Sequence, residues 1–235
     1  MLTATHSPAR WGKGLRFDPA QPVSSECRSG TCQDARVTTA DLRDRQLQRC
    51  CDVLAAAGPD APTLCEGWTA HDLAIHLWQL KHDPLAWPGI AGPPLSHLSE
   101  HRADLVRRRW PYQTIIEQLR EQTGPLPCMP LDRFRGDRHA LGEYFIHTQD
   151  VARPNGIGQP ALDEALQEAL WLRCIAAARV LRRKQPRGLV LEHTDGRRHV
   201  IGRGARQTIV AGLPSELICW VYGRRTVAHV TVSEK

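Results

Sequence analysis

The sequence is poor in lysine, and it contains neither a long apolar run nor a secretory signal. Of its 235 residues 31 are basic, but lysine occurs only at positions 13, 81, 184 and 235. No run approaches the roughly eighteen apolar residues that a membrane-spanning helix needs. The first residues, MLTATHSPARWGKG, lack the apolar core of a secretory signal. These absences exclude an integral membrane protein, and we expect a cytoplasmic protein without a membrane partner.

The positive charge of the chain is dispersed. The formal net charge is +6, and short basic clusters occur at four separate places, 107–109, 182–184, 197–198 and 224–225. A nucleic-acid-binding surface requires basic residues gathered on one face with aromatic residues between them. Two of the clusters stand instead at the ends of predicted helices, where cations complement the helix dipole. The sequence therefore predicts no nucleic-acid partner.

The eight cysteines do not suggest a disulfide framework. A chain without a secretory signal is expected to keep its thiols reduced. Cys50, Cys51 and Cys174 fall within helical patterns and are predicted to be small core residues. Cys27 and Cys32, in CRSGTC, could join a zinc site, but no second ligand pair follows at a suitable spacing. We interpret these two as incidental thiols.

Apolar periodicity divides the chain into three parts. Residues 1–37 lack it and are rich in Pro, Gly, Ser and Arg, which predicts a disordered extension. Residues 38–184 form a helical part and residues 187–235 a small α+β part, so the predicted fold class is mainly α with a small α+β C-terminal domain. The predicted helices span about 39–57, 69–83, 97–109, 137–153 and 161–183, with one more from Pro111 at its first position.

The C-terminal part combines strand signals with one short helix. A hairpin around an Asp-Gly turn is predicted for GLVLEHTDGRRHVIGRG, and a further strand for TIVAG. A helix is predicted from Pro214, and TVAHVTV as the closing strand. A unit of this size is marginal alone, so we expect it to pack on the helical part.

The helix predicted from Thr69 carries a histidine on its apolar side. Thr69 and Asp72 match a capping box, and Trp68 can pack on the first turn as a hydrophobic staple. His76 then lies on the apolar stripe with Leu77 and its neighbours. A lone histidine on such a face is more often a core residue than a ligand, so His76 needs partners from elsewhere to indicate a site.

A later segment, LGEYFIHTQDVARPNG, supplies such partners. Glu143 and His147 are four residues apart and share a helix face, although this spacing alone is also common in surface ion pairs. Helix bundles build metal sites from inward-facing residues of neighbouring helices. Together with His76 they would provide three ligands and leave one position open, as in catalytic zinc sites. Asp72 and Asp150 could each accept the second ring N–H of a ligand histidine, but for Asp72 the helix cap is the competing role.

Three segments, PTLCEGWTAHDLAIHL, EYFIHTQDVAR and GLPSELICWVYGR, resemble the actinobacterial family related to mycothiol-dependent maleylpyruvate isomerase, within the DinB-like superfamily. The resemblance covers about residues 40–235. It implies a DinB-like four-helix bundle that holds a divalent metal, usually zinc, through one histidine of the first motif and a Glu-x3-His pair. On this sequence those ligands are His76, Glu143 and His147. It also implies a smaller C-terminal α+β domain and the use of mycothiol as cofactor.

Three functions remain open at this point. In the first, a metal-bound mycothiol thiolate attacks an electrophilic small molecule, in an isomerase or S-transferase reaction carried out by a monomer or homodimer. Arg224 is then a candidate contact for substrate or cofactor, with a solvated arginine at a helix end as the alternative. In the second, the metal activates water for hydrolysis. In the third the metal only stabilises the bundle, and Asp150 or His139 supplies a fourth ligand.

Overall fold

The structure is a computed structural model that describes residues 37–90, 95–121, 137–181, 188–202 and 206–235. The predicted N-terminal extension therefore lies outside the described residues except for Val37, and so do Cys27 and Cys32. Arg36–Lys235 form one compact unit.

Eight helices and four strands occur in the described residues, which confirms a mainly α fold with a small α+β part. The helices are α1 Thr39–Ala57, α2 Ala70–His82, α3 Trp87–Ile90, α4 Ser96–Arg109, α5 Tyr112–Arg120, α6 Arg138–Ala152, α7 Glu164–Leu181 and α8 Pro214–Val221. The strands are β1 Gly188–His193, β2 Arg198–Ile201, β3 Gln207–Gly212 and β4 Thr231–Glu234. No helix in the described ranges is both long and apolar enough to cross a membrane.

Local capping determines where the helices begin. The capping box predicted for α2 is present: the Thr69 N–H donates to Asp72 Oδ2 at 2.8 Å and the Asp72 N–H donates to Thr69 Oγ1 at 3.4 Å. A second capping box, not predicted, starts α1 at Thr38. Pro111 was predicted at the first position of its helix but is the N-cap of α5, one residue outside, where its extended backbone still precedes the first turn.

The first of two cores joins α1, α2, α5 and α6. Leu54, Leu73 and Ile115 are fully buried within it, and the Tyr112 hydroxyl donates to the carbonyl oxygen of Leu54 at 2.7 Å. The cysteines predicted to lie in the core, Cys50, Cys51 and Cys174, are buried, and the five cysteines in the described residues are all free thiols.

The second core joins α6 and α7 to α8 and the sheet. The strand order is β2-β1-β3-β4; β1 pairs antiparallel with β2 and parallel with β3, and β3 pairs antiparallel with β4.

The hairpin of β1 and β2 is as predicted. The closing strand was predicted over 226–232 but forms at Thr231–Glu234, because residues after α8 first turn back, with the Ala228 N–H on the Arg224 carbonyl at 3.1 Å. Since α6 belongs to both cores, the turn after α8 is held beside the polar face of α6.

Candidate metal centre

Helix α6 is buried between the two cores, yet it carries a row of charged side chains. His147 is 7% exposed and Asp150 is fully buried, and Glu143 lies one turn before His147. Buried polar groups in native proteins find partners. The charged side chains of α6 therefore need hydrogen-bond or ion-pair partners from other elements of the fold.

His147 lies between two carboxylates. Its Nδ1 is 2.9 Å from Asp150 Oδ2, and its Nε2 is 3.6 Å from Glu143 Oε2. Burial alone would lower the pKa of His147, but the hydrogen bonds with Asp150, Cys65 and Glu143 raise it well above its usual range. Because Asp150 takes up Nδ1, Nε2 is the ring nitrogen turned toward Glu143, and the orientation of the ring is fixed.

Both carboxylates are ionised. Burial would raise the pKa of Glu143, but His147, His139 and Arg173 together lower it to about 2. The pKa of Asp150 is likewise lowered to about 2, since its hydrogen bonds with His147 and Arg224 outweigh its burial. An ionised carboxylate is the form that binds a metal.

His76 approaches His147 from α2. The two rings meet edge to face with centroids 5.3 Å apart, and the Trp68 ring lies 5.2 Å from His76. Among the described residues neither ring nitrogen of His76 has a hydrogen-bond partner. Burial, followed by the positive charge of His147, lowers the pKa of His76 to about 3. His76 is therefore a neutral imidazole with unused nitrogens, which is the state of a metal ligand.

The three predicted ligands have the donor chemistry of a divalent-metal site, in which His147 would release its Nε2 proton to the solvent when the metal binds. Two imidazoles and one carboxylate are donors that zinc accepts, and bonds of about 2.1 Å in a tetrahedral arrangement place ligand atoms about 3.4 Å apart. Glu143 Oε2 and His147 Nε2 are separated by 3.6 Å, close to that spacing and too far for a good hydrogen bond. His139 Nε2, the alternative fourth donor, is 3.7 Å from the other oxygen of Glu143.

A second group of possible ligands includes a residue that the sequence analysis missed. Ligand atoms of Cys65, His147 and Asp150 lie within 4.8 Å of one another. However, Arg224 donates to both oxygens of Asp150, from Nε at 2.7 Å and from NH2 at 2.6 Å, and NH2 is also 3.4 Å from Cys65 Sγ. A permanent cation thus already occupies this side of Asp150, so we interpret the group as support for His147.

No sequence pattern pointed to Cys65, because this residue belongs to no Cys/His spacing typical of metal sites. It reaches α6 through the loop before α2, where the Leu64 N–H donates to the Asp150 carbonyl oxygen at 3.0 Å. Cys65 Sγ then lies 3.3 Å from Asp150 Oδ2. Only the folded chain brings these segments together.

The remaining candidates are placed as follows. Asp72 caps α2, which is the competing role named for it, and also forms an ion pair with Arg107. The alternative for Arg224, a solvated arginine at a helix end, is wrong: its side chain is 20% exposed and paired with Asp150, and NH1 donates to the Tyr222 carbonyl oxygen at 2.7 Å.

An open cavity of about 370 Å³ adjoins His76. Trp68 and Gln79 line it from the α2 side, and Ser99 and Glu100 line it from α4. The short helix α3 closes part of the cavity wall with Ile90. His76 thus lies at a wall that a small molecule can reach.

Comparison with known proteins supports the resemblance. Residues 40–86 match the family model of the mycothiol maleylpyruvate isomerase N-terminal domain. No curated protein matches the chain. The crystal structure of the mycothiol-dependent maleylpyruvate isomerase is similar over 83% of this chain and 91% of its own, with 16% identity and a TM-score of 0.54. The structure of a histidine-to-alanine mutant of the isomerase is similar over the same shares, with 15% identity and a TM-score of 0.51. The resemblance inferred from the sequence is therefore confirmed: residues 40–86 match the family's N-terminal domain, and the chain is similar in fold to mycothiol-dependent maleylpyruvate isomerase.

Proposed function

We propose that the chain is a cytoplasmic, metal- and mycothiol-dependent enzyme of the isomerase or S-transferase type, with His76, Glu143 and His147 as the metal ligands. The observation that carries the proposal is the position of His76. His76 is a neutral imidazole with no hydrogen-bond partner in the described residues; it touches His147, which faces the ionised Glu143, and its own ring lines an open cavity. Its ring nitrogens are therefore available to a metal at the cavity wall.

The residues around the ligands perform separate tasks. Asp150 and Arg224 hold the His147 ring at a fixed angle. A divalent ion such as zinc, when bound, would lower the pKa of a thiol so that a thiolate forms near neutral pH. The cavity beside His76, with the apolar Trp68 and Ile90 and the charged Glu100 in its wall, has room for a small-molecule thiol. The Trp68 ring packs against the His76 ring with centroids 5.2 Å apart.

A cobalt-substituted protein tests the proposal. Titration with mycothiol is expected to change the visible spectrum of the cobalt, because a sulfur donor then enters its surroundings. The variant His76→Ala should bind less metal and show no such change, whereas Asp163→Asn, at an exposed ion pair with Arg45, should behave as wild type. An unchanged spectrum at saturating mycothiol would contradict thiol chemistry and favour either a hydrolase or a metal that only stabilises the bundle.

A further inference from the structure

A second cavity, of about 280 Å³, opens on the other face of Glu143. Its polar end is formed by His139, Arg173 and Tyr222, and its walls by aliphatic side chains of α7. Val180 and Leu181, which belong to these walls, are 61% and 52% exposed. With about 30 Å³ for each water in the liquid, the volume corresponds to a ligand of roughly ten non-hydrogen atoms.

The cation in this cavity is poorly satisfied. Arg173 is 7% exposed, and a guanidinium carries five N–H donors. Within the described residues the structure gives it one hydrogen bond, from NH2 to the Tyr222 hydroxyl, and an ion pair with Glu143 at 3.6 Å. Its Nε is buried without a partner. Leaving a buried charged donor unpaired is costly, so Arg173 is expected to have a further anionic partner.

Neighbouring residues hold Arg173 in place for such a partner. Its stem lies flat on α6 at Gly142, where an added Cβ would come within 2.8 Å of the Arg173 side chain. The Tyr222 hydroxyl fixes NH2, and the Tyr222 ring lies 5.5 Å from the guanidinium carbon. The arginine is therefore positioned in advance, which lowers the entropic cost of binding a ligand.

The local charge balance favours an anion. Asp150 is paired with Arg224, and Glu143, which also lines the cavity, comes no closer to Arg173 than 3.6 Å. Arg173 is the cation of this group that no carboxylate holds at hydrogen-bond distance. A planar guanidinium matches a carboxylate through two parallel hydrogen bonds, and the aliphatic walls suit an alkyl chain.

We propose that this cavity is a binding site for a small aliphatic carboxylate, with Arg173 binding the carboxylate group and the α7 side chains contacting the chain. The site is separate from the cavity beside His76. It does not depend on the proposed function, because binding can be measured without thiol or turnover.

Isothermal titration of the full-length, zinc-loaded protein with hexanoate tests the proposal. Hexanoate is expected to bind saturably, whereas hexylamine, of the same length and opposite charge, should not bind. Arg173→Gln should weaken hexanoate binding at least tenfold, since it removes the charge-assisted hydrogen bonds. The matched control Arg179→Gln, an exposed arginine of the same helix, should stay within twofold of wild type.

Two outcomes would overturn the proposal. One is equal hexanoate affinity in wild type and Arg173→Gln, which would mean that the carboxylate binds to the metal or elsewhere. The other is equal binding of hexanoate and hexylamine. If Arg173→Gln does not fold, Arg173→Lys and Tyr222→Phe replace it. Arg173→Lys keeps the charge but removes the planar guanidinium, and Tyr222→Phe removes the hydroxyl that holds Arg173 NH2. Both variants should bind hexanoate more weakly than wild type. Unchanged affinity in these two variants would equally contradict the proposal.

Discussion

Replacing Asp150 by asparagine should damage both the stability of the protein and its metal site. The change keeps the shape of the side chain but removes the charge that pairs with Arg224 and accepts from His147 Nδ1. Asp150 is fully buried, so water cannot replace the lost charge. The guanidinium of Arg224, 20% exposed, is left as a largely buried cation without a counterion.

The magnitude follows from the geometry of the pair. Removing one partner of a buried ion pair costs about 3–5 kcal/mol, and the partial exposure of Arg224 places this case near the lower end, at about 3 kcal/mol. For a protein of this size that loss lowers the Tm by roughly 6–12 °C. Because the mutation also frees the His147 ring, zinc affinity should fall by about 10–100-fold.

Thermal unfolding followed by circular dichroism, and zinc titration against a competing chelator, measure the two effects. Asp163→Asn is the matched control; its ion pair with Arg45 is exposed and worth about 0–1 kcal/mol. The double variant Asp150→Asn/Arg224→Met should recover part of the stability, since it removes the unpaired cation, but not the zinc affinity. A Tm within 1 °C of wild type together with unchanged zinc affinity for Asp150→Asn would refute the role given to Asp150.

Three further predictions concern other parts of the molecule. Burial lowers the pKa of Lys81 to about 8, so between pH 8 and pH 10.5 the unfolded chain binds more protons than the folded one. The free energy of unfolding of wild type relative to Lys81→Met should therefore rise with pH by up to about 3 kcal/mol over this interval in urea titrations; a flat difference would contradict the burial of the charge. Thr69→Ala removes the α2 cap and should cost about 1 kcal/mol, measured as a Tm lower by about 2–4 °C, whereas an unchanged Tm would mean that the cap contributes nothing. Zinc at about 100 times its Kd should stabilise wild type by about 2.7 kcal/mol and leave the Tm of His147→Ala unchanged; an equal shift in both proteins would place the metal elsewhere.

Local patterns predicted most of the fold. The capping box at Thr69, the Asp-Gly hairpin and the apolar periodicity of the long helices depend on residues close in sequence, and each appears where expected. Parallel pairing of β1 with β3 was not predicted, because it depends on how the hairpin folds onto the rest of the chain. The closing strand was placed too early, since apolar alternation in TVAHVTV does not reveal the turn that precedes β4.

In the candidate site, too, the residues marked by a local pattern were predicted and those from distant segments were not. Glu143 and His147 could be found from their spacing on one helix, and His76 from its place on an apolar stripe. The groups that support them could not be found, because they come from distant segments: Cys65 is 85 residues from Asp150, and Arg224 is 74 residues from it. No spacing rule connects such residues before the second core has brought α8 against α6.

X-ray absorption spectroscopy of the zinc-loaded protein, without any added thiol, tests most directly whether His76, Glu143 and His147 bind the metal. We expect a shell of nitrogen and oxygen donors at about 2.0–2.1 Å with the signature of two imidazoles and no sulfur, as His76, Glu143 and His147 require. A sulfur donor at about 2.3 Å would contradict the central claim, because it would place the metal on Cys65 beside His147 and Asp150 instead.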